Sequence, residues 1–372
     1  MKIISVVGAR PNFMKIAPIA RELKRHKGIK HIIVHTGQHY DEKMSASFFR
    51  QLGIPRPGIN LEVGSGSHAV QTAEIMRRFE PVCLKHRPDL VLVVGDVNST
   101  LACTIVAKKL WIPAVHVEAG LRSFDRRMPE EINRIVTDCV CDVFFTTSPE
   151  ANTYLKKEGV PASRIFYVGN VMIDTLMGNT AKAAKSPIAR RLGVEKRGYA
   201  LVTLHRPSNV DTKESLMRIM RALEHIQKKI KVVFPVHPRT LKNIQRFLSK
   251  KELASLSNIV FLEPLGYIDF LNLTMNAKFV LTDSGGIQEE TTVLGVPCLT
   301  ARENTERPIT ITQGTNVLVG TKTQKIISEA EKILKGKAKK GRRPQYWDGK
   351  ASARIVKTLK NLYKKGALER CA

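Results

Sequence analysis

The chain has 372 residues, 43% of them apolar and 25% charged, a mix that folds into two domains of ordinary size rather than staying disordered. No apolar run approaches the roughly 20 residues that span a bilayer, and the start, MKIISVVGARPNF, lacks the apolar segment and cleavage site of a secretory signal, so a cytoplasmic protein without membrane contact is expected. Sixty-one Lys and Arg against 33 Asp and Glu leave a formal charge of +28, which raises nucleic acid as a partner.

Short β-branched runs alternate with amphipathic segments from the first residue. Lys2–Val7 reads as a buried strand, followed by a helix with Pro11 near its start and Phe13, Ile16, Ile19, Ala20 and Leu23 on its apolar face. The strand His31–His35, the helix Met44–Leu52 and the long helix His68–His86 come next, the last ended by Pro88. Then follow the strand Leu90–Val94, the helix Ser99–Leu110, the strand Ala114–Val117, the helix Glu130–Cys139 and the strand Val143–Thr147. The pattern pauses over Gly169–Pro187 and restarts with strands at Tyr199–Leu204, Lys231–Val236, Asn258–Leu262, Phe279–Thr282 and Pro297–Thr300. Strands separated by helices imply parallel βαβ units. The α/β pattern therefore predicts two Rossmann-like, doubly wound domains with a cleft between them, at 1–170 and 171–350. Ligands in such sheets bind beyond the carboxyl ends of strands.

The basic charge is concentrated near the C-terminus. Thr321–Ala372 holds sixteen basic and four acidic residues, densest in Lys335–Arg343 (KGKAKKGRR), where Gly336 and Gly341 imply an exposed loop. Few aromatics interleave with it and no zinc-finger or RRM signature appears, so a solvated basic surface is the plainer reading. The cysteines, Cys83, Cys103, Cys139, Cys141, Cys298 and Cys371, form no C-x-x-C pair. Free thiols are expected, with neither zinc nor a disulfide.

Gly8-Ala9-Arg10-Pro11-Asn12 follows the first strand. The glycine permits a sharp turn, and Arg10 and Lys15 are placed to reach an anion, but two glycines of G-x-G-x-x-G are missing, which argues against a dinucleotide cofactor. Asp283-Ser284-Gly285-Gly286 ends a strand and opens a helix, a phosphate cradle of backbone amides. Glu289 and Glu290 in its first turns either support the helix or accept ribose hydroxyls. Asp96 ends VLVVG, Glu118 ends the next strand in HVEAGLRS, and Glu130, Glu131 and Arg134 open a helix in PEEINR. Singly, Asp96 reads as a helix cap and Glu130–Arg134 as a surface ion pair; three acids from three consecutive β–α connections read as one site. His205 and His237 end two strands of the second sheet, where an imidazole can face a ligand. No G-x-S-x-G elbow indicates a serine hydrolase.

Together these motifs resemble the non-hydrolysing UDP-N-acetylglucosamine 2-epimerases. The resemblance runs from GARPNFMKIAP through TGQHYD, VVGDVNST, HVEAGLRS, MPEEINR, VGNVMIDTL, TLHRPSNVD, PVHPRT and DSGGIQEE to GVPCLTARENTERP, nearly the whole chain in family order. It implies the glycosyltransferase-B architecture, with nucleotide mainly on the second domain and a final helix, within 351–372, returning to the first. It also implies a homodimer, and inversion of C2 of UDP-GlcNAc without metal or nicotinamide: UDP is eliminated to a 2-acetamidoglucal and re-added. Such chemistry needs carboxylates for proton transfer and donors for the departing diphosphate.

By resemblance, Asp96, Glu118 and Glu130 act at the sugar with Arg134 beside them, and His205 acts at the diphosphate. Arg10, Lys15 and Arg307 hold the nucleotide phosphates or shape their pocket, Ser284, Gly285 and Gly286 form the cradle, Glu290 takes the ribose, and Phe270 lies by the uracil. Gln38, Arg206 and His237 match a regulatory second UDP-GlcNAc site. Three departures from the family pattern are Ser208, Ile309 and one extra residue in QHYDEKM. The alternatives are an epimerase of another UDP-2-acetamido sugar, such as a 2,3-diacetamido derivative, a hydrolysing epimerase, a glycosyltransferase of the same fold, and a basic nucleic-acid-binding protein.

Overall fold

The structure, a computed structural model, describes residues 1–37, 53 and 57–368. The chain forms two compact units, Met1–Gly178 with Gln345–Ala372, and Asn179–Pro344. In the first, β1 (Lys2–Val7), β2 (Lys30–His35), β3 (Ile59–Asn60), β4 (Leu90–Val94), β5 (Ala114–Ala119), β6 (Val143–Thr146) and β7 (Ile165–Tyr167) form one parallel sheet. Its order is β3-β2-β1-β4-β5-β6-β7. In the second, β8 (Tyr199–Thr203), β9 (Lys231–Pro235), β10 (Ile259–Leu262), β11 (Phe279–Thr282), β12 (Cys298–Thr300) and β13 (Asn316–Leu318) pair in parallel in the order β10-β9-β8-β11-β12-β13. Both are doubly wound α/β sheets.

The strands read as unbroken apolar runs because helices cover both faces. All five residues of β4, LVLVV, are buried. Ile4, Val91, Val93, Phe79 and Phe144 belong to the first core, and Val202, Phe234, Leu281, Ile219 and Leu223 to the second. In each sheet the winding reverses between its first and fourth strands, β1/β4 and β8/β11, which opens a crevice beyond their carboxyl ends.

Several expectations are corrected. The pause over Gly169–Pro187 is instead largely the helix Val171–Ala184, in which Val171, Met172, Ile173 and Leu176 are buried. Their burial outweighs the cost of about 1 kcal/mol for the helical Gly178. β3, β7 and β13 were not anticipated; they are edge strands of two or three residues, too short to carry a periodicity. β5 runs on to Ala119, past an irregularity at Glu118 that bears on the site. The expected helix Met44–Leu52 lies outside the described residues.

The helix Ala351–Lys364 packs on Arg10–Lys24 within the first unit, with Lys360 Nζ 3.1 Å from His26 Nδ1. Asp174 accepts its first amides, Ala351 N at 3.0 Å and Ser352 N at 2.7 Å, a carboxylate placed where a helix N-terminus favours one. The segment KGKAKKGRR is irregular but docked. Lys339 Nζ donates to the carbonyls of Ile311 and of Asn316 (3.1 Å), and a Cβ on Gly341 would lie 2.5 Å from the Gly314 carbonyl carbon. Its remaining Lys and Arg are exposed. Among the described residues no helix is long and apolar enough to cross a membrane.

Candidate active site

In the first domain the site is built on the crevice between β1 and β4. Asn12 ties the two loops there: its Oδ1 accepts from Ala9 N (2.9 Å) and Gly8 N (3.3 Å), and its Nδ2 donates to Val94 O (2.9 Å). The conformation of G-A-R-P-N is therefore held by its last residue. The Arg10 side chain lies outside the described residues. Lys15, one turn beyond Asn12, is buried with Nζ 2.5 Å from Glu118 Oε2. Gly95, at φ 68°, leaves room for that ammonium; a Cβ there would stand 2.7 Å from Nζ.

Glu118 sits at φ 71°, where the β5–β6 register shifts between Val117 and Ala119. A left-handed non-glycine residue costs of order 1–3 kcal/mol, and such bulges recur beside active sites because they re-aim a side chain. Asp96 follows the neighbouring strand β4, and its Oδ2 lies 2.5 Å from Arg134 Nη2. It is not a helix cap: Val97 is the capping residue of Asn98–Lys109, with no side-chain cap bond.

Arg134 also reaches Glu131 Oε2 at 2.8 Å. Buried Glu131 in turn accepts from the Ser123 amide and hydroxyl and from Phe124 N, all at 2.9–3.1 Å, and so closes the loop after β5. The adjacent Glu130 is exposed in the first helical turn.

The helix Pro129–Val140 is inverted: it buries Glu131, Asn133, Arg134, Thr137 and Asp138 and leaves Ile132 42% exposed. Asp138, 1% exposed, anchors it. Its Oδ1 lies 2.6 Å from His116 Nδ1, and its Oδ2 takes Gly120 N (3.0 Å) and Arg122 Nη1 (2.7 Å). His116 Nε2 lies 2.8 Å from Gly95 O. One carboxylate thereby braces the loop before Asp96 and the loop after Glu118. Burial alone would raise the Asp138 carboxyl, but His116 and Arg122 outweigh it and hold it below the ordinary range.

In the second domain the corresponding crevice lies beyond β8 and β11. Asp283 is fully buried and accepts from His205 N (3.0 Å), Arg206 N (2.9 Å) and Asn209 Nδ2 (3.0 Å), with His205 Nδ1 2.9 Å from its Oδ1. Burial pushes the carboxyl up; the His205 side chain and these amides more than reverse it, and it lies below the usual aspartate range. The half-exposed His205 ring is thus pinned by one nitrogen. Ser284 precedes the helix Gly285–Leu294 and no side chain caps it, so first-turn amides are open to an anion.

Arg307 lies against this helix start, and a Cβ on Gly285 would be 2.6 Å from its Nη1. Arg307 is held by Glu289 (2.7 Å) and Glu306 (2.9 Å), and Glu306 also pairs with Arg302 at 2.6 Å and with Arg206 at 3.6 Å. Gly285→Ala is expected to crowd this guanidinium and weaken anion binding at the helix start about tenfold, the value of one charge-assisted hydrogen bond; calorimetric titration with pyrophosphate measures it.

Glu290 is buried, with Tyr267 Oη donating to Oε1 at 2.9 Å. Burial, reinforced by Glu289, lifts its carboxyl from 4.5 to about 7 against the Tyr267 bond. The folded state holds this proton between pH 4.5 and 7 and the unfolded state does not, so this group's contribution to stability falls as pH rises through that window. Glu290→Gln should flatten that fall, by roughly 3 kcal/mol between pH 4.5 and 7. Urea denaturation at the two ends of the window tests it; an unchanged slope means Glu290 is ionised throughout.

Phe270 is half-buried against the apolar cluster around Tyr199 and Leu201. His237 is exposed, and its Nδ1 accepts from Arg239 N at 3.3 Å. Partial burial lowers its pKa, helped by the nearby His205 and Arg239. Arg206 Nε donates to Asp283 O at 3.1 Å. Gln38 lies outside the described residues.

Asn12, His116, Asp138, Arg302, Glu306 and Tyr267 were not anticipated. For Asp138 a signal exists: Glu131, Arg134 and Asp138 recur at i, i+3 and i+7, a charged stripe where a core-facing helix carries apolar residues.

Residues 21–360 match the family described as UDP-N-acetylglucosamine 2-epimerase. A UDP-N-acetylglucosamine 2-epimerase homolog of Methanococcus maripaludis is 45% identical over 364 residues, covering 97% of this chain and 100% of that protein. The UDP-2,3-diacetamido-2,3-dideoxy-D-glucuronate 2-epimerase of Pseudomonas aeruginosa is 42% identical over 365 residues, again covering 97% and 100%. Among solved structures, Methanocaldococcus jannaschii UDP-GlcNAc 2-epimerase in complex with UDP-GlcNAc and UDP superposes with a TM-score of 0.88 at 42% identity, over 97% of this chain and 100% of that one.

Proposed function

The chain belongs to the UDP-N-acetylglucosamine 2-epimerase family, and from that premise we propose that it interconverts UDP-GlcNAc and UDP-ManNAc. It is a non-hydrolysing isomerase with the family's two-domain, glycosyltransferase-B type fold. The observation that carries the reaction is the pair Asp96 and Glu118, carboxylates at the carboxyl ends of adjacent strands β4 and β5, Asp96 just past the one and Glu118 next to the last residue of the other, each against a cation.

A carboxylate removes the proton from C2 as the bond from C1 to the UDP oxygen breaks, leaving UDP and 2-acetamidoglucal. The reverse addition, with a proton delivered to the opposite face of C2, inverts that centre. Asp96, Glu118 and Glu130 serve as the acids and bases, with Arg134 orienting Asp96. His205, Arg10, Arg307 and the amides after Ser284 hold the diphosphate, Glu290 the ribose, and Phe270 the uracil. Gln38, Arg206 and His237 are the proposed regulatory contacts.

A second reading is favoured by the relative from Pseudomonas aeruginosa, 42% identical against 45% for the one from Methanococcus maripaludis: the sugar would be a 2,3-diacetamido derivative. Proton NMR in deuterated water decides. UDP-ManNAc carrying deuterium at C2 is the expected product from UDP-GlcNAc. Turnover of only the diacetamido analogue would transfer the assignment to it, and free ManNAc with UDP would mean hydrolysis.

The proposed active form is a cytoplasmic homodimer. Val70, Leu84, Trp111 and Phe124 are large apolar side chains, each 58–70% exposed on the first domain, of the kind that association covers. Light scattering on the purified protein tests it; a monomeric mass would remove the dimer from the proposal.

A further inference from the structure

We infer that Lys15 is a positioning residue for the Glu118 carboxylate and not a ligand of the nucleotide phosphates. The inference rests on the epimerase reading and refines it. Both heads are buried, with 6% of the Lys15 side chain and 1% of the Glu118 side chain exposed, and they meet at 2.5 Å. An ammonium so enclosed is committed to the carboxylate beside it, because drawing it to another anion would leave a buried charge without its partner.

Three features of the backbone build this contact. Gly95 contributes no Cβ, and one there would stand 2.7 Å from Nζ, so the ammonium occupies space that any other residue would fill. Asn12 fastens the start of the helix Arg10–Lys24 to the ends of β1 and β4. Lys15 lies three residues on, on the same helix face, so its height above the sheet is set by that bond. Glu118, finally, is held at φ 71° on a bulge. A side chain carried by strained backbone keeps one orientation only when its surroundings over-determine it, and the ion pair with Lys15 supplies that restraint.

A phosphate ligand and a positioning residue respond differently to substitution. Lys15→Gln keeps a donor and removes the charge. It is expected to lower kcat about 10²-fold, the scale of a misplaced general acid or base, and to leave the UDP dissociation constant within about twofold of the parent. Added to Glu118→Gln it should cost less than about twofold more, since the carboxylate through which it acts is already gone. The inference is overturned if Lys15→Gln weakens UDP binding beyond that limit, or if the two losses multiply in the double variant. Thermal denaturation accompanies each variant. Should Lys15→Gln not fold, Lys15→Arg replaces it, because the larger guanidinium keeps the charge but does not fit the space beside Gly95; the same two readings apply. A parent protein that binds UDP without epimerising would refute the reaction, whereas the UDP titration would still decide the role of Lys15.

Discussion

Asp96→Asn is expected to lower kcat about 10³-fold, within the range of a lost general acid or base, while the melting temperature moves by only about 2 °C. The two halves of this prediction have separate causes. Asp96 stands just past β4 with its side chain 21% exposed, so asparagine keeps its volume without burying a new polar group. Arg134 keeps Glu131 at 2.8 Å. The asparagine Oδ1 can still accept from Arg134, so only the charge of one hydrogen bond is lost, about 1 kcal/mol. Proton transfer at C2, however, requires a group that gains and loses a proton, and an amide does neither. Initial rates by NMR and a thermal melt measure both quantities. A loss below tenfold with an intact fold would remove Asp96 from the proton-transfer steps.

Asp138→Asn should do the opposite and act on stability first. The residue is fully enclosed, and its two oxygens serve His116, Gly120 N and Arg122. Removing one member of a buried charged network costs about 3–5 kcal/mol, which in a domain of this size lowers the melting temperature by about 10 °C. Activity falls with it, since His116 anchors Gly95 O, next to Asp96, and Gly120 lies two residues past Glu118.

The pH dependence gives a second readout. Because the folded carboxyl lies below the ordinary aspartate range, its stabilisation is present above that range and is lost as pH falls through the folded value. The asparagine variant should therefore show a shallower acid limb in its denaturation profile. A variant with the parent's melting temperature would mean that the loops are held by other contacts.

The structure changes what several motifs mean. PEEINR contains two adjacent glutamates that no spacing argument separates; Glu131 is turned inward to close the loop at Ser123 and Phe124, and Glu130 faces solvent. In TARENTERP, Glu306 gathers Arg302, Arg307 and Arg206 around one carboxylate. KGKAKKGRR reads as an exposed loop, and its other Lys and Arg are exposed, but it is tied down through Lys339 and Gly341.

The class of fold and the neighbourhood of the candidate site are legible in the amino-acid sequence. Strands covered on both faces must be apolar throughout, helices between them must show one apolar stripe, and special residues collect where the chain leaves a strand; all three are local, so Leu90–Val94, Asp96 and Asp283-Ser284-Gly285 stand out at once. Which side chains pair is set by the packing of the sheet. Lys15 meets Glu118 because the strand order sets β1, β4 and β5 side by side, and His116 meets Asp138 because the helix Pro129–Val140 turns its polar side to β5. The left-handed turn of Glu118 exists only where β5 slips against β6. These contacts join residues 22 to 103 positions apart, and no local periodicity encodes them, because each depends on free energy gained elsewhere in the sheet.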